Sequence, residues 1–453
     1  MSLLFTLGAR RGINGVLRGK FELRADELVT HGVIVGMTGS GKTGLLTVLV
    51  EEALRAQIPV LLIDVKGDLP NLKLAFPSFD PAAMAPWVEA ARGDDDGVAD
   101  AGLVDAAASK RKTELTKWSI GEAELRAFNE RTLIRVITPG SDAGESLHLL
   151  SALERRSARW DDDLDGARTT LGAAISLVLR LVGREADPGK SREHALLCVL
   201  AERRLRAGGV ADLPSLLPDI IEPPVTEIGA LPVDAYMSAG RRAELAADLN
   251  NLIASPAFAT WRRGQDLDVG RWMLPVDGKT PATIISVAHL DDEERALVLG
   301  VILEEALTWV RSLPGTARLR ALIVFDEVYG FIPPHPKSPP TKRPMVALMK
   351  QARAYGVGCV LATQNPMDLD YRALSNAGTW LLGRLQTDAD RERVIEGLGE
   401  DKKKSAVSKL LKKIRPLWFV AREASGELTI LQPRWAMSHL RGPMTSKEIR
   451  RVR

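Results

Sequence analysis

Short runs of apolar, often β-branched residues recur along the chain, and segments with apolar residues at helical spacing lie between them. Such runs are typical of buried strands, and their alternation with helices is the pattern of a mostly parallel sheet. The pattern predicts an α/β fold. The predicted strands are VIVG at 33–36, IPVLLID at 58–64, TLIRVITP at 132–139, PATIISVAHL at 281–290, ALIVFDE at 321–327, VGCVLATQ at 357–364, WLLGRLQ at 380–386, LWFVARE at 417–423 and ELTILQP at 427–433.

Two segments interrupt this alternation. Residues 70–131 contain amphipathic helical pieces and the acidic turn GDDDG at 93–97, and residues 150–280 read as nearly all helical. We therefore predict a nucleotide-binding core formed by residues 1–149 and 281–453, with a helical excursion in the first part and an inserted helical subdomain at 150–280.

Composition and charge narrow the class of protein. The chain has 453 residues, of which 45% are hydrophobic, and its 61 basic and 58 acidic residues are too evenly balanced to indicate a nucleic-acid binder by themselves. Cys198 and Cys359 lie in apolar surroundings without metal-ligand spacing, which is typical of a reducing compartment. The N-terminus lacks signal-peptide order, and the longest apolar stretch is too short to span a membrane. We expect a soluble, cytoplasmic protein.

The stretch HGVIVGMTGSGKTG at 31–44 carries the clearest chemistry. It predicts a strand, a glycine-rich turn and the start of a helix, with the spacing of a phosphate-binding loop. Gly36, Gly39 and Gly41 allow backbone N–H groups to face phosphate oxygens. Lys42 supplies a charge for the β and γ phosphates, and the Thr43 hydroxyl can ligate Mg²⁺. ATP and Mg²⁺ are the predicted ligands.

Two later strands end in polar residues that suit the same site. Asp326 follows four apolar residues, at the strand end where open α/β sheets bind ligands, and could hold Mg²⁺. Glu327 directly after it is well placed to polarise a water for attack on the γ phosphate. Gln364 ends the next strand along the chain and could hydrogen-bond that water or sense the γ phosphate.

The phosphate loop, VLLIDVKGD, ITPGSDAG, ALIVFDE, KQARAYGVGCVLATQNP and LSNAGTWLLGRL together resemble the HerA/FtsK superfamily of hexameric DNA-pumping ATPases. The resemblance implies a RecA-like P-loop core over residues 20–145 and 280–445, and it is closest for bacterial HerA-like proteins with a RWAMSHLRGP-type segment. It implies metal ligation by Thr43 and Asp326, catalysis by Glu327 and sensing by Gln364. The implied nucleotide contacts are Gly36, Met37, Thr38, Gly39, Ser40, Gly41, Lys42 and Thr43.

The resemblance also implies an arginine that reaches the nucleotide site of a neighbouring subunit. Arg353 of KQARAYG has the matching place, and Arg384 of LLGRLQ is a second candidate. HerA proteins carry an N-terminal β-barrel, whereas about thirty residues precede the phosphate loop here, and FELRADEL could supply one short strand. We therefore expect any hexamer to rely on the ATPase core or the helical insertion.

The implied function is a ring-forming DNA translocase or helicase. PPHPKSPPTKRP at 333–344 and DKKKSAVSKLLKKIR at 401–415 are basic segments that could contact DNA or simply form a rigid loop and a solvated helix face. Two alternatives stay open, an ATPase that remodels or pumps protein partners and a P-loop kinase or switch. A nuclease or other effector protein is a further candidate partner.

Overall fold

The fold is described by a computed structural model that covers residues 3–88, 101–256, 258–364, 369–370, 374, 377–398 and 404–453. The acidic turn predicted at 93–97 lies outside these ranges. The chain groups into two compact units, the first formed by 1–136, 271–289 and 313–453 and the second by 137–270 and 290–312. Within the described ranges, no helix is both long and apolar enough to cross a membrane.

Strands are present at every run that the apolar pattern predicted, so the predicted α/β class is confirmed. The strands are β1 Leu4–Arg11, β2 Leu17–Arg24, β3 Gly32–Val35, β4 Val60–Asp64, β5 Thr132–Ile137, β6 Leu147–His148, β7 Glu227–Ile228, β8 Leu231–Pro232, β9 Gln265–Asp266, β10 Thr280–Ser286, β11 Thr316–Asp326, β12 Tyr355–Thr363, β13 Thr379–Leu382, β14 Phe419–Arg422 and β15 Leu428–Pro433.

Helices account for much of the remaining chain. The α-helices are α1 Lys42–Arg55, α2 Pro81–Met84, α3 Ala101–Thr116, α4 Glu122–Arg131, α5 Ser151–Glu154, α6 Arg159–Asp162, α7 Leu164–Leu181, α8 Arg192–Arg206, α9 Leu213–Ile221, α10 Val233–Tyr236, α11 Ala239–Ala254, α12 Val269–Trp272, α13 Asp292–Ser312, α14 Lys342–Gln351, α15 Asp388–Gly397, α16 Lys404–Lys413 and α17 Ser446–Val452. Short 3-10 helices cover Ala25–Thr30, Leu69–Leu74, Ala85–Trp87, Phe258–Arg262 and Ala352–Ala354.

In the described part of the chain, the first unit is built on an eleven-stranded sheet with the order β2-β1-β15-β14-β13-β3-β12-β11-β4-β10-β5. Six neighbouring strands of this sheet pair in parallel, in the order β10, β4, β11, β12, β3 and β13. The central strands β3 and β4 are buried on both faces, which explains their continuous apolar sequences. Parallel pairing brings the carboxyl ends of β3, β4, β11 and β12 to one edge of the sheet.

The N-terminal residues form more of the sheet than the sequence predicted. Instead of one short strand in FELRADEL, β1 and β2 make a hairpin that pairs with β15. The alternation of apolar residues in β1 is broken at Gly8, where the pairing register shifts. A Cβ at Gly8 would lie 2.0 Å from the Gln432 carbonyl oxygen, so this close approach requires glycine. The irregularity explains why the pattern did not indicate the strand.

The second unit is mostly helical in its described residues. Helix α7 packs against α8 and α13, and α9 packs against α8 and α11. Arg159 and Glu305 form an ion pair of 2.6 Å inside this unit, where Glu305 is almost fully buried. The division of the chain at 150 and 280 that the sequence suggested stays a proposal.

Candidate functional site

The phosphate-binding loop leaves β3 and is fixed by two neighbouring strands. The Gly36 N–H donates to the Thr363 carbonyl oxygen at 3.2 Å, and the Met37 N–H donates to the Arg384 carbonyl oxygen at 2.9 Å. Gly39 and Gly41 have φ values of 78° and 89°, a region that side chains disfavour. Gly41 is the N-cap of α1 and makes no side-chain cap bond, so the first turn of α1 can offer its N–H groups to an anion.

Lys42 points from the start of α1 toward the acidic pair that ends β11. Its side chain is 3% exposed, and its Nζ lies 3.3 Å from Glu327 Oε2 and 3.8 Å from Asp326 Oδ1. Burial lowers the pKa of Lys42, and the two carboxylates oppose that change. The structure thus brings the predicted phosphate lysine and both predicted carboxylates together.

Asp326 ends β11 in register with Asp64 of β4. Both carboxylate oxygens of Asp326 are buried without a hydrogen-bond partner, and burial raises the pKa of this group. A buried carboxylate that accepts no hydrogen bond is costly unless cations compensate its charge, and here the Lys42 ammonium, 3.8 Å from Oδ1, supplies part of that compensation. Asp326 offers oxygen ligands of the kind that Mg²⁺ prefers, and metal ligation by Asp326 and by the Thr43 hydroxyl in the first turn of α1 stays a prediction.

Glu327 is held in an unusual backbone conformation, with a φ of 67°. Its Oε1 accepts hydrogen bonds from the Thr363 hydroxyl at 2.9 Å and the Gln364 N–H at 3.1 Å. Its Oε2 accepts from Lys42 and from Lys66, the latter at 2.8 Å. Burial opposes ionisation, but the neighbouring lysine charges hold the pKa of Glu327 below its ordinary value. Strain of this kind in a non-glycine residue is characteristic of functional positions.

Gln364 connects the end of β12 to the phosphate loop. Its backbone N–H contacts Glu327, and its side-chain Oε1 accepts a hydrogen bond from the Thr38 hydroxyl at 2.9 Å. A group that touches both the candidate base and the loop can report the state of one to the other. Its role as a sensor stays a prediction.

The two candidate arginines have very different locations. Arg353 is exposed in the short 3-10 helix before β12, and Thr363 is the last of the nine residues of that strand. At about 3.3 Å a residue, that strand puts Arg353 roughly 30 Å from the phosphate loop of its own chain. Arg384 is exposed beside its own loop, where its carbonyl oxygen receives the Met37 N–H.

Two residues of the site were not singled out by the sequence analysis. Asp64 ends β4, is fully buried and accepts hydrogen bonds from the Gly67 N–H and the Ser286 hydroxyl, each at 2.9 Å. Burial raises its pKa to about 7. Lys66 lies two residues further on and contacts Glu327. The signal for Asp64 was available, because an acidic residue after an apolar strand is the same pattern that identified Asp326.

A C-terminal segment, residues 434–445, lies against the helix that follows the phosphate loop. Arg434 is 1% exposed and bonds to Glu51 at 2.9 Å and to Glu52 at 3.0 Å, both on α1. The Met444 N–H donates to the Gly67 carbonyl oxygen at 2.9 Å. This segment therefore supports both α1 and the loop that carries Lys66.

The basic segments are partly engaged in the fold. In the proline-rich segment 333–344, Lys342 pairs with Asp370 at 3.2 Å, whereas Lys337 and Arg343 are exposed. In the second segment, Lys404–Lys413 form α16, with Val407 and Leu411 buried. Exposed cations are thus present in both segments.

Comparisons with known proteins show a family match for part of the chain and a fold similarity for most of it. Residues 18–128 match a family model described as the central domain of helicase HerA. The fold is similar to that of VirB4 of Thermoanaerobacter pseudethanolicus, with a TM-score of 0.53, 14% identity, and coverage of 95% of this chain and 96% of that one. The bacterial conjugative coupling protein TrwB aligns with a TM-score of 0.49 and 13% identity over 97% of this chain and 91% of its own.

No curated protein matches the chain. The matched family model includes the phosphate loop, α1 and β4, and the similarity to VirB4 extends over nearly the whole fold. The family model confirms the predicted resemblance to HerA over residues 18–128, and the similarity to VirB4 confirms the predicted RecA-like P-loop fold class.

Proposed function

We propose that this chain is an ATPase that couples ATP hydrolysis to the movement of DNA through a ring of subunits. The single observation that carries the ATPase proposal is the meeting of Lys42, Asp326 and Glu327 at the sheet edge beside the phosphate loop. Site clusters of this kind argue for function more directly than the fold does.

In this proposal the backbone N–H groups of residues 36–43 and the Lys42 ammonium bind the phosphates of ATP. Thr43 and Asp326 would hold Mg²⁺, which neutralises charge on the β and γ phosphates when bound. Glu327 accepts a proton from the attacking water, and its Oε1 contacts with Thr363 and Gln364 keep the carboxylate oriented. Gln364 links this event to the loop through Thr38.

A ring, which we propose to be a hexamer, is supported by the location of Arg353. An exposed cation about 30 Å from the phosphate loop of its own chain can complete a nucleotide site only in a neighbouring chain. Arg384 lies beside its own loop and suits a role within one subunit. DNA as the polymer rests on the HerA resemblance and on the exposed cations Lys337 and Arg343. A nuclease or other effector partner and a cytoplasmic location stay predictions.

The test is phosphate release from ATP without an acceptor, with and without DNA. We expect two unrelated DNA duplexes to stimulate turnover equally, and high salt to suppress this stimulation. The reason is that contacts to the DNA phosphate backbone are electrostatic and independent of sequence. The Lys42→Ala variant is the control. Turnover that DNA does not change would favour an ATPase acting on protein partners. No release without an acceptor would favour a kinase and overturn the proposal.

A further inference from the structure

Lys66 is held at the site by a loop with two anchors. At its start, the Asp64 carboxylate accepts the N–H groups of Gly67 at 2.9 Å and Leu69 at 3.5 Å. On its other side, the Gly67 carbonyl oxygen accepts the Met444 N–H. Gly67 itself has a φ of 87°, which lets the chain turn sharply just after Lys66. The backbone at Lys66 is therefore fixed by the fold, and its side chain extends from a defined point.

Lys66 and Lys42 converge on one oxygen atom. Glu327 Oε2 lies 2.8 Å from Lys66 Nζ and 3.3 Å from Lys42 Nζ. Glu327 Oε1 is already oriented by Thr363 and Gln364, so the carboxylate does not need Lys66 to fix its direction. Two ammonium groups that meet at one carboxylate oxygen are close enough together to bind a further anionic oxygen that approaches both of them.

We propose that Lys66 is a second phosphate-binding lysine that contacts the γ phosphate of ATP and so distinguishes ATP from ADP. The inference rests on the proposed function, because it takes Lys42 as the lysine of the phosphate loop and Glu327 as the base. A base that activates the attacking water must lie near the γ phosphate. A cation 2.8 Å from that base lies within side-chain reach of the same phosphate.

The exposure and the surroundings of Lys66 suit this role. Its side chain is 30% exposed whereas that of Lys42 is 3% exposed, so Lys66 can change partners without leaving a buried charge uncompensated. The charges of both Lys42 and Lys66 act on three nearby carboxylates, those of Asp68, Asp326 and Glu327. ADP lacks the γ phosphate, so Lys66 has no added partner when ADP binds.

The test compares ATP and ADP affinities in a background that does not turn over. We would measure Kd for both nucleotides by calorimetry with Glu327→Gln, then with Lys66→Ala added. We expect ATP affinity to fall about tenfold or more with ADP affinity nearly unchanged, since a hydrogen bond to a charged group is lost only for ATP. Lys66→Arg should keep most of the preference for ATP.

Lys73→Ala in the same background is the matched control, because Lys73 lies in the adjoining 3-10 helix outside the cluster, and both affinities should stay unchanged. An equal loss for ATP and ADP would show that Lys66 only supports the loop and would overturn the inference. The inference would also be overturned if Lys66→Ala left the ratio of ATP affinity to ADP affinity unchanged while the Glu327→Gln protein bound both nucleotides normally. Binding of neither nucleotide by either the parent or the wild-type chain would overturn the proposed function and this inference together.

Discussion

Replacement of Arg434 by methionine tests whether the C-terminal segment supports the phosphate-loop helix. Methionine keeps much of the side-chain volume and removes the charge. The change deletes the hydrogen bonds from the guanidinium to Glu51 at 2.9 Å, to Glu52 at 3.0 Å and to the Trp435 carbonyl oxygen at 2.7 Å. The side chains of Arg434, Glu51 and Glu52 are all buried. Removing one partner of a buried ion pair destabilises proteins by about 3 to 5 kcal/mol.

Glu51 and Glu52 keep other hydrogen-bond partners when Arg434 is replaced, which places the expected loss of stability at the low end of about 3 to 5 kcal/mol. Glu51 still accepts hydrogen bonds from Met437 and Ser438. Glu52 still contacts Arg55. Since neither carboxylate is left without partners, we expect a loss near the lower limit, about 3 kcal/mol in the free energy of unfolding.

The assay is urea-induced unfolding followed by circular dichroism, with Arg10→Met as the control. Arg10 is 33% exposed and pairs with Glu423 and Glu427, so its loss should lower the free energy of unfolding by less than about 1 kcal/mol. Adding Glu51→Gln to Arg434→Met should cost less than the sum of the two single changes, because the two residues interact directly. An Arg434→Met protein as stable as the control would show that the contacts of Arg434 with Glu51 and Glu52 do not stabilise the fold.

Three further predictions concern single residues. Arg353→Ala should bind ATP normally but hydrolyse it poorly, and mixing it with Glu327→Gln subunits should restore some activity. No recovery in mixed rings would contradict a nucleotide site shared between subunits. Glu327→Gly should be more stable than Glu327→Ala by about 1 kcal/mol in urea unfolding, since a φ of 67° strains alanine but not glycine, and equal stability would contradict this. Burial opposes ionisation of Glu448, but hydrogen bonds from Thr445 and Arg441 hold its pKa at about 2, below the ordinary value of 4.5. The contribution of Glu448 to stability is therefore present above pH 4.5 and is lost as the pH falls toward 2. The stability difference between the wild type and Glu448→Gln should shrink over that range, and a constant difference would contradict it.

Much of the sheet could be predicted because its central strands are continuous apolar runs. A strand such as β4, buried on both faces, needs apolar residues at every position, and that requirement is visible in the sequence. The hairpin of β1 and β2 was harder to predict. Strand β2 lies at the sheet edge with most residues exposed, and the pattern of β1 is interrupted at Gly8, so neither presents a clean apolar period.

The site likewise contains residues that could be predicted from the sequence and residues that could not. The phosphate loop, Asp326 and Glu327 could be identified because strand ends and glycine spacing fix where their side chains meet. Lys66 could not be identified, because its approach to Glu327 depends on how Asp64 and Met444 hold a loop that has no periodic pattern. The same holds for the pairing of Arg434 with α1, which joins residues far apart in the sequence.

We propose that Lys42 binds the phosphates of ATP and that Glu327 activates the attacking water. The most direct measurement is steady-state phosphate release together with ATP binding for the wild type, Lys42→Ala and Glu327→Gln. We predict that Lys42→Ala loses tight binding or turnover, and that Glu327→Gln binds ATP and does not hydrolyse it. Unchanged turnover in Glu327→Gln would contradict the assignment of Glu327 as the base.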